Sequence, residues 1–288
     1  MKKLFCVLSI FILLLCSSCS ETDAETPDRA DFIFLSDTQA LPADSYTASD
    51  YTDYARLLSL AREQAPDASL LLLGGDTVND GSDEAEWSAW FEAGDGLLEG
   101  LTVLAAEGNH DRRALVYDMF PRPDGADHHR GSFWSWDCGG VHFLVLDSSL
   151  MGAAEAEDIA WVEQYLAACE DGLIVALMHH PAYPALDIER DRARAETIRE
   201  HFVPLFERYG VDLVLCGHQH VYMRTAPQNG VTYVMLASGP KEYVGASIPD
   251  CAEALLEEPA CLTGRVNDGK LEILVYGENG VLDSFVIE

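Results

Sequence analysis

At 288 residues, 48% of them hydrophobic and 23% charged, the chain can form one large domain or two small ones around a sizeable core. Eighteen Lys and Arg against 49 Asp and Glu leave a formal net charge of −31. Such a field repels nucleic acid and anionic lipid at long range, which argues against a polynucleotide as substrate or partner. Small anions remain admissible where a bound metal ion reverses the local field.

In chain order, residues 1–19 read as a signal peptide. Lys2 and Lys3 precede the apolar run Leu4–Cys16, which is too short for a membrane span. The ending Leu15-Cys16-Ser17-Ser18-Cys19 resembles a bacterial lipoprotein processing site, with Cys19 as the lipidated residue, although Cys16 stands where that pattern usually has Leu. Plain secretion and an uncleaved anchor are the alternatives. Acyl chains on Cys19 would hold the protein to the bacterial cell envelope, the membrane being reached through the anchor only. Residues 20–30 are polar and read as a tether. Export permits disulfides; Cys251 and Cys261, flanking a short acidic segment, are a candidate pair, while Cys138, Cys169 and Cys216 read as buried thiols.

Residues 31–288 alternate short apolar runs with amphipathic stretches. Strands are expected at Phe32–Ser36, Leu70–Leu73, Leu101–Ala105, Phe133–Trp136, Val141–Asp147, Leu173–Met178, Val211–Cys216, Thr232–Ala237, Leu271–Tyr276 and Val281–Ile287. Helices are expected at Ser49–Gln64, Asp83–Ala93, Glu155–Cys169 and Arg192–Tyr209. Strand–helix–strand units followed by consecutive strands point to an α/β fold of two packed sheets with helices outside.

Five of the runs end in polar, ligand-type residues. Asp37 follows the first, Gly75-Asp76 the second, Gly108-Asn109-His110-Asp111 the third, His179-His180 a fourth, and Gly217-His218-Gln219-His220 a fifth. The carboxyl ends of strands are where open α/β sheets place their sites. Singly, each signal is weak. An Asp after a strand is common, Asp76 could cap a turn, and a lone His is more often a satisfied interior residue.

Together and in this order, Asp37-x-Gln39, Gly75-Asp76, Gly108-Asn109-His110-Asp111, His179 and His218-x-His220 closely resemble the calcineurin-like metallophosphoesterase superfamily. The stretches Leu177–Tyr183 and Gly217–Arg224 are similar to its purple acid phosphatase branch. The resemblance implies a four-layer α/β/β/α sandwich of two packed mixed β-sheets flanked by helices, carrying two divalent or mixed-valence metal ions, Fe, Mn or Zn. It places Asp37, Gln39 and His220 on one ion, Asn109, His179 and His218 on the other, and Asp76 between them. Carboxylate and amide oxygens suit hard cations and imidazoles suit Zn, Fe and Mn. Two ions about 3.5–4 Å apart can polarise a phosphoryl group and activate water.

By the same resemblance His110 stabilises the transition state or protonates the leaving oxygen, and Asp111 orients and charges that imidazole; a turn-forming Asp is the plainer account of Asp111. Two departures stand out. Gln39 occupies a position where many relatives have His, so the first ion should be held less tightly or be a harder one. Asn79 stands where the purple branch has its ligating Tyr, so the enzyme should be colourless. His180 could line the pocket or only meet the next loop. The loop Asp127-His128-His129-Arg130 and the side chains of Tyr222 and Arg224 are weaker candidates for substrate contact.

The expected activity is hydrolysis of small phosphate esters, monoesters slightly favoured. Diesters, lipid or protein phosphates at the membrane, and a catalytically silent binding module are the competing readings. Nothing in the sequence points to a protein partner.

Overall fold

Strict alternation of apolar residues decides the layering. In a strand, successive side chains face opposite sides, so a run that is apolar throughout must be covered on both faces. Phe32 and Phe34, Leu70 and Leu72, and Leu173, Val175 and Leu177 point into one central core. Their neighbours Ile33, Leu35, Leu71 and Leu73 face a second core, and Ile174, Ala176 and Met178 a third.

The computed structural model describes residues 27–288, apart from 112, 130–132, 152–155, 242 and 244–248. The expected signal peptide, the lipidation site Cys19 and most of the tether lie outside the described residues. No helix among the described residues is long and apolar enough to cross a membrane.

The elements run β1 (Phe32–Leu35), a 3-10 turn (Ala48–Tyr51), α1 (Thr52–Gln64), β2 (Leu70–Leu73), α2 (Glu84–Ala93), β3 (Thr102–Ala105), α3 (Arg113–Met119), β4 (Asp127–His128), β5 (Trp134–Cys138) and β6 (Val141–Leu146). They continue with α4 (Ser148–Met151), α5 (Ala156–Ala168), β7 (Leu173–Met178), α6 (Glu189–His201), α7 (Val203–Tyr209) and β8 (Leu213–Cys216). Six strands complete the chain: β9 (Tyr222–Thr225), β10 (Thr232–Met235), β11 (Ala252–Leu256), β12 (Cys261–Asn267), β13 (Lys270–Gly277) and β14 (Gly280–Ile287).

One sheet has the order β14-β13-β12-β1-β2-β3 and the other β11-β9-β10-β8-β7-β6-β5-β4. Both are mixed, and the central core lies between them. Helices α1 and α2 cover the outer face of the first sheet, α1 through Tyr54, Leu57, Leu58 and Ala61, spaced as one helical face. Helices α5, α6 and α7 cover the outer face of the second. This is the expected four-layer sandwich.

Several expectations need correction. The helix read across Arg192–Tyr209 is two helices, starting earlier at Glu189 and breaking at Phe202, which ends α6 and caps α7. Pro204, in the first turn of α7, has no N–H to continue the earlier helix. Strands β4, β9, β11 and β12 are additional to those expected, β4 lying in the stretch read as a loop. Cys251 and Cys261 are free thiols: Cys261 is buried under the α1 layer, whereas the chain at Ala252 packs on the opposite outer core. The end of the expected tether is packed: Ala30 is buried, and Cys138 donates to the Pro27 carbonyl at 3.2 Å.

The sheet directions bring the polar strand ends together. Strands β1, β2 and β3 are parallel neighbours, as are β7 and β8. Asp37 N donates to Gly75 O at 2.9 Å, Gly217 N to His179 O at 2.9 Å, and His218 N to both oxygens of Asp37, at 3.0 and 2.8 Å, across the two sheets.

Candidate metal centre

The chain turns sharply as it leaves each of these strands. Six non-glycine residues among those described have positive φ, and four of them are Asp37, Asp76, His218 and His220. Left-handed backbone at non-glycine residues is uncommon, and strain of this kind collects at functional sites. The turns also pack too closely for a side chain. A Cβ on Gly108 would run into the main-chain nitrogen and carboxylate of Asp76, and one on Gly217 into the Asp37 carboxylate.

Around these turns, acceptors converge on acceptors. His179 Nδ1 donates to Gly74 O at 2.9 Å, so Nε2 faces Asp76 Oδ2 at 3.2 Å and His218 Nδ1 at 3.3 Å. One proton on Nε2 can satisfy only one of those two. His220 Nδ1 donates to Lys241 O at 2.9 Å, which turns its Nε2 lone pair toward Asp37 Oδ1 at 3.4 Å. Asp37, Gln39, Asp76, His179, His218 and His220 are all buried. Buried lone pairs facing one another are costly unless a cation lies between them. The donor set of carboxylates, an amide and imidazoles therefore fits two metal ions.

Ligand atoms of Asp37, Asp76 and His179 lie within 4.8 Å of one another, as do those of His179, His180 and His218. His180 packs behind the cluster and does not line the cleft: its Nδ1 is 2.9 Å from Ser148 Oγ, its ring centroid is 4.2 Å from that of His218, and its buried Nε2 has no hydrogen-bond partner.

The protonation pattern matches. Burial pushes Asp37 up to about 7. Burial opposes the charge on His179, but the Asp76 and Asp37 carboxylates outweigh it and raise the imidazole to about 9. Burial also works against ionisation of Asp76, yet the positive His179 leaves it below the usual carboxylate range. Burial and the Lys241 charge push His220 down to about 3. Groups forced this far apart mark a functional cluster.

His110 and Asn109 stand at the open side, lining a cleft of about 360 Å³ with Arg190, Asp191, Arg194, His218, Lys241 and Tyr243. His110 N donates to Asp76 Oδ1 at 2.8 Å, and its Nδ1 lies 2.7 Å from the Asn79 carbonyl. Asp111 does not orient that imidazole as expected. Its Oδ1 accepts from Thr77 N at 3.0 Å and Val78 N at 3.4 Å, and its Oδ2 from Gly108 N at 3.0 Å. It clamps the two ligand-bearing loops together, and Asn79 O sets the tautomer of His110.

A sequence profile of calcineurin-like phosphoesterases matches residues 30–222. The chain belongs to the calcineurin-like phosphoesterase family.

That family indicates a phosphoric ester hydrolase and typically binds a dinuclear metal centre. Among its relatives, a probable cyclic nucleotide phosphodiesterase of Rhodococcus erythropolis is 30% identical, covering 76% of this chain and 74% of that protein. Purple acid phosphatase 23 of Arabidopsis thaliana is 25% identical, over 54% of this chain and 38% of its own length. The fold superimposes on a purple acid phosphatase from yellow lupin seeds with a TM-score of 0.73 and 17% identity, covering 91% of this chain and 55% of the lupin chain. The chain spans about a third, 32%, of the length of the first curated relatives it matches.

Two of the weaker substrate-contact candidates pair elsewhere. Arg224 pairs with Glu253 and, at 2.7 Å, with Asp283, which also accepts from the Tyr222 hydroxyl at 2.7 Å. That network ties β9 of one sheet to β14 of the other. His129 lies 3.1 Å from Asp158. Phosphoesterase residues that sequence reasoning missed are Asp191, whose Oδ2 is 3.1 Å from His218 Nε2, and Lys241, whose Nζ is 3.1 Å from the Gln39 amide. Both come from segments with no motif, and only the folded chain brings them to the ligands.

Proposed function

We propose that this phosphoesterase hydrolyses small phosphate esters, monoesters ahead of diesters, at a dinuclear metal centre. The observation that carries this reading is the convergence of buried, mutually facing acceptors from four strand ends, with Asn109 and His110 of a fifth beside them at the open cleft. Asp37, Gln39 and His220 would hold one ion and Asn109, His179 and His218 the other, with Asp76 shared. Bound there, two metal ions supply Lewis-acid charge for the phosphoryl oxygens and activate water.

The chain's own residues do the rest. Asp191 stands 3.1 Å from the outer nitrogen of His218, at ion-pair distance though out of line for a hydrogen bond, while Nδ1 of that ring faces inward to His179. Gln219 fastens the loop before α6, its amide pairing with Leu186 N and O at 2.8 and 3.0 Å. Because the N–H at His110 Nδ1 is committed to Asn79 O, the proton that can reach a leaving oxygen is the one on Nε2 of the protonated ring.

The similarity to purple acid phosphatase 23 favours monoesters, and that to the Rhodococcus protein supports the diester alternative. The acidity of the chain supports excluding nucleic-acid polymers. The leader pattern at residues 1–19 supports export and lipid anchoring at Cys19.

The test is initial-rate hydrolysis of p-nitrophenyl phosphate and bis-p-nitrophenyl phosphate, metal-free and after addition of Mn²⁺, Zn²⁺, Fe²⁺ or Mg²⁺. Metal-dependent turnover, faster on the monoester, is expected. Faster turnover of the diester would reverse the order of the two readings, and no turnover with any metal, with two ions bound, would leave a narrow substrate requirement or a binding module.

A further inference from the structure

The cleft beside His110 is lined by three cationic side chains, Arg190, Arg194 and Lys241, in a chain whose net charge is −31. Cations are scarce in this protein, and their gathering at one cleft is the reverse of its general field. A low-dielectric cleft lined by one sign of charge concentrates the opposite sign.

Arg190 and Arg194 are one turn apart on α6, which puts them on the same helix face. Asp191, next to Arg190 in that first turn, lies 3.1 Å from His218 Nε2, and both arginines line the same cleft as His218. Asp191 is shared between His218 and Arg190, whose Nε lies 3.7 Å from its other oxygen, so one carboxylate offsets only part of the charge of the two arginines. Arg194 Nε is buried and has no hydrogen-bond partner, and Arg194 makes no ion pair among the described residues. A buried guanidinium nitrogen without an acceptor is costly, and one beside an open cleft has room for an acceptor, from water or from a bound anion.

We propose that Arg190 and Arg194 bind a second phosphate group, carried on the leaving-group side of the substrate, so that the natural ester is a bisphosphate of a small molecule. This rests on the phosphoesterase reading and specifies its substrate class. The phosphoryl group to be transferred occupies the metal centre, and the leaving group extends past His110 into the cleft where the arginines stand. Guanidinium forks match phosphate oxygens in pairs, and two of them balance a phosphate dianion where a carboxylate would balance one. A cleft of about 360 Å³ accommodates a ligand of that size.

The experiment compares glucose 1,6-bisphosphate, glucose 6-phosphate and 3-phosphoglycerate by initial phosphate release from the metal-loaded full-length protein. p-Nitrophenyl phosphate is included as the general reporter. Wild type is expected to prefer the bisphosphate over glucose 6-phosphate by about tenfold or more in kcat/KM, the scale of one charged contact. The double variant Arg190→Gln/Arg194→Gln should lose most of that preference through KM, and Arg194→Lys should recover part of it. Arg190, whose side chain is 68% exposed, supplies a variant free of folding effects, and Arg190→Gln alone should cut the preference severalfold. A wild-type ratio near one, a ratio unchanged in the folded variants, or a preference for 3-phosphoglycerate would overturn the proposal while p-nitrophenyl phosphate is still turned over. Absence of phosphate release from every one of these esters with every metal would instead overturn the phosphoesterase reading and this inference with it.

Discussion

Replacing Asp111 with alanine separates two roles for a residue that stands next to the candidate acid His110. The structure gives its carboxylate three main-chain donors, Thr77 N and Gly108 N at 3.0 Å and Val78 N at 3.4 Å, in a buried setting. Alanine leaves the two close donors without acceptors, and a buried unsatisfied N–H costs about 1–3 kcal/mol. The loss is therefore about 2–6 kcal/mol. Part of it is returned, because burial, with the neighbouring Asp76 charge, raises this carboxyl to about 7 and makes it costly to keep ionised. A net loss of about 2–4 kcal/mol at neutral pH is expected. Against a urea slope of about 2–3 kcal/mol per molar for a domain of this size, the midpoint should fall by about 1 M. The assay is urea unfolding at saturating, fixed metal, since bound ions themselves add stability. Asp111→Asn should lose about half as much, because it keeps an acceptor for Thr77 but turns an amide toward Gly108 N–H. If Asp111→Ala unfolded at the wild-type midpoint and lost only turnover, the carboxylate would be acting on the imidazole or the substrate, and the clamp assignment would be wrong.

Asp76→Ala should abolish turnover and the retention of both ions by elemental analysis; two ions still bound would remove Asp76 from its shared position. His110→Ala should keep both ions and lose about a hundredfold or more in kcat, the usual scale for an acid–base group, and loss of metal would place His110 among the ligands. Gln39→His should tighten the weaker of two binding steps in calorimetry, and an unchanged pair of affinities would show that Gln39 holds no ion. The pH dependence of the metal-free protein follows from His179, raised to about 9 by its carboxylate neighbours against the effect of burial. Its stabilising proton is fully bound in the folded state below the ordinary 6.5 and is lost as pH rises through 9. Asp37 and Asp111, both raised to about 7, act in the same direction at the lower edge of that window. Urea midpoints of the metal-free protein should therefore fall from pH 6.5 to 9.5, and saturating metal should flatten the fall because an ion takes the place of the proton; equal slopes with and without metal would contradict it.

What could be read from the sequence was local. The lengths of β2 and β7 were legible to the residue, because uninterrupted apolar runs end abruptly at Gly74 and His179. The candidate ligands were legible because each directly follows such a run. Strands β9, β11 and β12 were not, since their pattern is set by neighbours. β11 carries the unremarkable Ala252–Leu256 and pairs with β9, and β12 has Gly264 at its centre, where a Cβ would strike the Phe32 ring. Arg190, Asp191, Arg194 and Lys241 look in sequence like ordinary surface charge. Their place at the cleft depends on where α6 begins and on how the loop after β10 returns, which no local motif records.

Asp111 shows the opposite error, in which a motif says too much. Adjacent residues in a chain tempt one to pair their side chains, but in an extended or tightly turning backbone consecutive side chains point away from each other. His110 turns outward to the cleft and Asp111 inward to the amides of Thr77, Val78 and Gly108. The partner of His110 is instead a carbonyl thirty-one residues earlier, at Asn79. A single turn thus serves two purposes, its imidazole facing solvent and substrate and its carboxylate binding the loop that carries Asp76. Substitutions at 110 and 111 should accordingly separate into a kinetic and a structural class.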